Sequence, residues 1–308
     1  VAETEKGVVI DTGPLQVECA RLGFDLFREV RLNGEVVLEP GACSGFYLVD
    51  EAGCAFETRQ ADLEVLSVLE SGPVRAVVEG SGTHRGETGT LFDFRVLIYA
   101  WAGKPWVEVA YQFINREQAE SVQILEIGLK VRPDGAGEVR CALGEGYYRT
   151  EVEKGPGEKL LDAETILYQS VEHVLEVFYG DFWADWCDGK KGVAITPFQA
   201  HQNFPKGLKV DETGIAVGIY PAGQGPVKVL QGVAKTHRFL FHFHGVEVTE
   251  EDVMVRSLQF QYPDVAMLSE AWYRDSGVWE NLFPEQTCQP LERGVIDLAD
   301  GRNRGLGM

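Results

Sequence analysis

The sequence is short of positive charge. Its 28 Lys and Arg face 48 Asp and Glu, for a formal net charge of -20 and a pI of about 4.7. A field of that sign repels nucleic acid and anionic membrane surfaces. It repels acidic polysaccharides as well, so an acidic substrate needs a local basic pocket. No stretch approaches the roughly 20 apolar residues of a membrane-spanning helix. No G-x-G-x-x-G follows a strand pattern, and no P-loop, G-x-S-x-G or H-E-x-x-H occurs, which removes weight from nucleotide-dependent and standard hydrolase chemistry. No cofactor is implied. The 6 cysteines (Cys19, Cys43, Cys54, Cys141, Cys187 and Cys288) contain no CxxC pair. Their scatter fits reduced, buried thiols better than a disulfide framework or a zinc site, and leans towards the cytoplasm. There is no start methionine and no signal peptide, so Val1 reads as a trimmed end.

What is present is enough apolar residue, 44% of 308, to build a core without staples. The length prior suggests two domains, but all-β sandwiches reach roughly 200–250 residues as one unit. Hairpin signals recur. Phe24–Leu32 and Glu35–Leu38 flank Asn33-Gly34, a dipeptide suited to the positive φ angles of a type I′ turn. Phe46–Val49 pairs in the same way with Cys54–Glu57, and Leu63–Leu69 with Val74–Gly80. In Leu91–Trp101, Phe92, Phe94, Val96 and Ile98 alternate with polar residues, the mark of a half-buried strand. Trp106–Asn115 and Ser121–Val131 repeat the pattern. Long consecutive antiparallel strands give wide sheets, which must stack to bury their apolar faces. Ala136–Thr165 reads as long loops around short strands. Strands resume at His173–Tyr179, Gly192–Thr196, Gly214–Tyr220 and Val227–His244, the last broken near Gly232. The expected fold is all-β: a large antiparallel β-sandwich over residues 1–248, followed over 249–308 by a helical linker and a loose tail. Thr249-Glu250-Glu251-Asp252 resembles a capping box, and Pro263-Asp264 the start of a second helix ending near Arg274.

Four groups of residues could carry chemistry. His242 and His244 are two apart on a strand and share a face. His237 has the opposite parity, so two ligands fall short of the three or four of a zinc site, and no metal is expected. Phe198–Gly207 reads as a loop gathering His201, Gln202, Asn203 and Lys206, a set able to bond sugar hydroxyls and a carboxylate. Tyr179, Phe182, Trp183 and Trp186 lie among Asp181, Asp185 and Asp188; they suit either a sugar-gripping aromatic surface or a core plug beside a solvated turn. His84 and Arg85 sit in a turn able to meet an anionic sugar, or to serve only as a connection.

Several stretches, taken in order, resemble one family. Asp11-Thr12-Gly13-Pro14-Leu15 precedes a strand, Gly82-Thr83-His84 leads to Phe92-Asp93-Phe94-Arg95-Val96, and Lys104-Pro105-Trp106 opens the return strand. Glu126-Ile127-Gly128-Leu129, Gln202–Leu208 and Lys235-Thr236-His237 follow. Together they resemble the central β-sandwich domain of the exo-rhamnogalacturonan lyase-like, or YetA-like, family, over roughly Val8 to Gly245. The resemblance implies a galactose-mutarotase-like supersandwich, flanked by a RIFT barrel and by an α/α toroid that begins in the linker. It implies a pectin-type acidic oligosaccharide as the partner. Lyase chemistry on such a glycan would need a base, for which His201 and His237 are candidates, and a cation for the uronate, for which Lys206 and Arg238 are candidates. Gln202, Asn203, Trp183, Trp186, Asp185 and His84 are the candidate sugar contacts. A non-catalytic carbohydrate-binding module and an aldose-epimerase-like enzyme are the competing readings.

Overall fold

The structure, a computed structural model, describes residues 1–133, 135, 137–146, 150–166, 181–263 and 268–277. The strands, in chain order, are β1 (Ala2–Glu3), β2 (Gly7–Asp11), β3 (Leu15–Ala20), β4 (Glu29–Leu32), β5 (Glu35–Leu38), β6 (Cys43–Asp50) and β7 (Ala55–Glu57). Next come β8 (Val65–Ser71), β9 (Arg75–Gly86), β10 (Gly89–Trp101), β11 (Trp106–Ile114), β12 (Ser121–Val131), β13 (Arg140–Gly146), β14 (Glu151–Lys154) and β15 (Gly157–Leu161). The last are β16 (Asp181–Cys187), β17 (Lys191–Pro197), β18 (Lys206–Asp211), β19 (Gly214–Tyr220), β20 (Val227–Leu230) and β21 (Ala234–Gly245). Helix α1 is Glu250–Gln261 and helix α2 is Glu270–Asp275.

All pairings between these strands are antiparallel. β1–β5 form a 5-stranded sheet in sequence order. The rest form a 16-stranded sheet whose path runs β14-β13-β16-β17-β21-β11-β10-β9-β7-β6-β12-β19-β18-β15. A sheet that wide curls on itself to bury its apolar face. Phe46 of β6 stacks on Tyr111 of β11 at 3.9 Å between ring centroids, although β7, β9 and β10 lie between them in the sheet order. At the two ends of the path, β13 and β16 lie over β15, β18 and β19. The small sheet closes one side: Phe27 meets Phe241 edge-on at 5.1 Å, and Val17, Val30 and Leu38 join the same core. The expected all-β fold of large antiparallel sheets is therefore the observed one.

Local chemistry explains the boundaries. Asn33 and Gly34 take φ of 51° and 86° and close the β4–β5 hairpin. Gly232, at φ 81°, separates β20 from β21, dividing what reads as one strand over Val227–His244. Lys206 and Gly207, expected in a loop, open β18. The segment His173–Tyr179 and residue Cys288 lie outside the described residues; the other five cysteines are free thiols. Thr249 caps α1, with reciprocal bonds between Thr249 and Asp252. The first compact unit runs Val1–Tyr262 and includes α1, which lies on β16 and β21. The second, Pro263–Met308, contributes α2, which begins later than Pro263.

Candidate functional site

Strand alternation decides where the histidines go. β21 pairs with β11 without a bulge, so His237, Phe239, Phe241 and Phe243 share the core face. Arg238, Leu240, His242 and His244 occupy the other face. His237 therefore stands beside Phe113, ring on ring at 6.3 Å. Lys235, two residues earlier, points the same way.

β18 brings a second cation to this place. Lys206 is buried, and its ammonium donates to the carbonyls of Asn203, Pro205 (3.2 Å) and Ile219 (2.8 Å). These use its three N–H bonds without a carboxylate. Burial, with the charge of Lys235 added, pushes its pKa down to about 7. His237 is buried too; burial, then Lys206 and Lys235, push it down to about 2, so the imidazole is neutral. Around them is a pocket of about 270 Å³. Its polar lining is Asn203, Lys206, Tyr220, Lys228, Lys235 and His237, and its wall is apolar, from Phe113 and Ile127 to Val229 and Val233. No Asp or Glu lines it.

The remaining sequence candidates stand elsewhere. His201 is buried in the turn before β18, edge-on to Phe182 at 6.5 Å, and burial pushes its pKa down to about 4. That turn is fastened to α1, since Gln261 donates to the Pro197 carbonyl (2.9 Å) and accepts from the Gln199 N–H (2.9 Å). Gln202 is exposed on it. Arg238, on the opposite face from His237, pairs with Glu108 at 2.8 Å and lies over the Phe198 ring at 4.6 Å. Trp183 and Trp186 are fully buried on β16. Their indole N–H groups donate to Asp181 (2.9 Å) and the Glu212 carbonyl (3.2 Å). Asp185, also buried, meets His244 at 2.7 Å and Arg140 at 3.5 Å. His84 is buried between the Phe92 carbonyl (2.7 Å) and the Tyr111 hydroxyl (2.8 Å). Among the described residues, no group of three or more His, Cys, Asp or Glu could hold a metal ion.

The structure thus unites His237, Lys206 and Asn203 in one pocket and leaves the other candidates out of it. It also adds Lys235, Lys228 and Tyr220, which the sequence reading did not single out. Lys235 could have been found, because it alternates with His237 on a recognisable strand. Tyr220 is joined to them by the pairings of β19 with β18 and β12, and Lys228 by that of β20 with β12.

No curated protein matches this chain. Among solved structures, the chain is similar to an alpha-mannosidase from Enterococcus faecalis V583, with a TM-score of 0.56 and 12% identity. That likeness covers 85% of this chain and 32% of the mannosidase. It is similar also to a putative aldose 1-epimerase from Klebsiella pneumoniae subsp. pneumoniae MGH 78578, with a TM-score of 0.50, 13% identity and 82% of each chain covered. At such identities the likeness shows the fold alone. Sequence similarity is more specific at the N-terminal side, where residues 1–139 match the family model of the PcRGLX-like protein central beta sandwich domain, in agreement with the rhamnogalacturonan lyase-like resemblance of the motifs.

Proposed function

We propose that this chain is the carbohydrate-handling sandwich of a polysaccharide lyase-like protein, and that the Lys206–Lys235–His237 pocket receives the carboxylate of a pectin-type uronate. The observation that carries this is the lining. In a chain of net charge -20, this pocket holds Lys206, Lys228 and Lys235 and no acidic side chain. A buried cation without a counter-charge is costly, and an anionic ligand supplies that charge. In such a complex the lysines would neutralise the uronate, and the neutral His237 imidazole would be the group able to accept the proton next to it. Asn203 and Tyr220 would bond hydroxyls. The adjoining RIFT barrel and α/α toroid of the family pattern would complete the cleft.

One observation favours a binding module without catalysis. Lys206 bonds three backbone carbonyls, so part of its work is to hold the Asn203–Pro205 turn on β19. The epimerase-like reading asks for a histidine and a carboxylate on one wall. This pocket offers the first without the second.

Calorimetric titration of the chain with a galacturonate oligosaccharide, alongside a lyase assay that follows the unsaturated product, tests the reading. Binding that is lost in Lys235→Met supports the pocket. Turnover lost in His237→Gln with binding retained supports catalysis, whereas binding without turnover in the parent chain supports the module. Equal titration of the parent and Lys235→Met would remove the pocket from the function.

A further inference from the structure

We infer that the lysine pocket selects a uronate whose ring hydroxyls carry a small acyl ester, an O-acetylated galacturonate in preference to the bare sugar. This rests on the uronate reading of that pocket and adds which form of the residue it takes.

The balance of donors and acceptors is the first argument. Lys206, Lys228 and Lys235 can only donate, and no Asp or Glu stands among the lining residues. The pocket's backbone is largely spent. The carbonyls of Asn203, Pro205 and Ile219 accept from Lys206, and those of Val229 and Val233 accept from Asn115. The Tyr220 hydroxyl gives its proton to the Gly225 carbonyl (3.0 Å). The Asn203 amide donates to the Gln199 carbonyl (3.1 Å), which leaves its oxygen to accept. With that oxygen, the acceptors among the lining side chains are the Tyr220 oxygen and one nitrogen of the neutral His237 ring. A bare sugar brings a proton on every hydroxyl, and a buried donor without an acceptor is costly. An ester brings a carbonyl and no proton. A lining rich in donors and poor in acceptors fits a ligand of the converse kind.

Apolar surface is the second. Phe113, Ile127, Ile219 and Val229 form a buried wall. Phe204, Leu230 and Val233 also line the pocket and are exposed, so they make an apolar lip. Single exposed apolar residues are ordinary, but a cluster of them at a pocket marks a ligand surface. A hydroxylated ring edge gains little from that lip, whereas an acyl methyl is buried against it. At about 270 Å³ the pocket lies just under the roughly 300–1,000 Å³ of drug-sized sites. That suits one sugar residue with a small substituent and excludes a long acyl chain.

The test titrates the whole chain, by calorimetry, with a galacturonate oligosaccharide and with the same oligosaccharide O-acetylated on its ring hydroxyls, its carboxylates left free. One methyl placed in an apolar site is worth about tenfold, so the acetylated form should bind about tenfold tighter. In Leu230→Ser/Val233→Ser, which alters two exposed side chains, that preference should vanish while the affinity for the bare oligosaccharide stays. Lys235→Met should weaken both ligands. The comparison of the two ligands on the parent chain needs no variant to fold. Equal or weaker binding of the acetylated form, with bare oligosaccharide still lost in Lys235→Met, overturns this inference and leaves the uronate reading standing. Binding of both ligands that ignores Lys235→Met overturns the two together. Tighter binding of hexanoate than of the acetylated sugar also overturns the inference, since the pocket would then be choosing an apolar acid.

Discussion

His244 Nε2 lies 2.7 Å from Asp185 Oδ1, and both side chains are buried. The other ring nitrogen, Nδ1, lies 2.9 Å from the Gly245 carbonyl. A carboxylate and a carbonyl both accept, so both nitrogens carry protons and the ring is an imidazolium. Burial opposes that charge, but the hydrogen bond and the charge of Asp185 outweigh it and hold the pKa above the usual histidine value.

Removing the carboxylate's charge should therefore be costly. In Asp185→Asn, His244 and Arg140 lose their shared counter-charge inside the protein. Breaking a buried pair costs about 3–5 kcal/mol. Urea denaturation at pH 6 should show that loss. The sign of the pH dependence follows from the raised pKa: the pair's stabilisation is full below about 6.5 and disappears as pH rises through the folded value. The gap between parent and Asp185→Asn should narrow above neutrality, and a gap that widened would refute the imidazolium.

Asp181 supports α1 from beneath. It accepts from Ser257 Oγ on the helix, Thr150 Oγ1 (3.2 Å), Trp183 Nε1 (2.9 Å) and its neighbour's N–H (3.1 Å). Those donors fit an acceptor-only carboxylate, while burial raises its pKa to about 6. Asp181→Asn keeps the shape but turns an amide N–H towards a donor. It should destabilise by about 1–3 kcal/mol, as should Ser257→Ala, read by chemical denaturation. The group's own contribution with pH is present below about 3.9 and lost as pH rises through about 6, since the folded pKa is the higher one.

β16, which carries Asp181 and Asp185, was the least legible strand in the sequence, and the reason is physical. All of Asp181–Cys187 is buried, with the core on one face and α1 on the other. A strand covered on both faces loses the period-two signal, so its aromatic and acidic residues read equally as a ligand surface. Where one face meets solvent or a turn dictates backbone sign, the reading was direct. Leu91–Trp101 alternates and is β10, Asn33-Gly34 closes a hairpin, and Thr249 with Asp252 starts α1. The candidate pocket was half legible. His237 and Lys206 are chemically conspicuous, but their meeting depends on β18 and β21 coming together through the curl of the sheet, which no local pattern encodes. His201 shares a segment with Lys206 and still lies outside that pocket.

Anion binding at the lysine pocket should depend on pH in one direction. Lys206, at about 7, loses its ammonium as pH rises through neutrality. A carboxylate beside it favours the charged form, so binding takes up protons near pH 7.5. Calorimetry in buffers of different ionisation enthalpy should record that uptake, and the galacturonate affinity should fall between pH 6 and pH 8.5. In Lys206→Met both the uptake and the slope should vanish. A slope that survived there would assign the titration to another group.

The core histidine His84 gives a prediction with a defined tautomer. Its Nδ1 faces the Phe92 carbonyl at 2.7 Å and must donate. Burial pushes its pKa down to about 4, so the ring is neutral at pH 7 and Nε2 is bare. The Tyr111 hydroxyl, 2.8 Å away, is then the donor to Nε2. Tyr111→Phe keeps the 3.9 Å stack on Phe46 but strands a buried acceptor, at a cost of about 1–3 kcal/mol. His84→Phe alone strands the hydroxyl instead. The double variant removes both polar atoms, so its loss should be smaller than the sum of the single losses. Strict additivity in denaturant midpoints would show that the two rings do not share this bond.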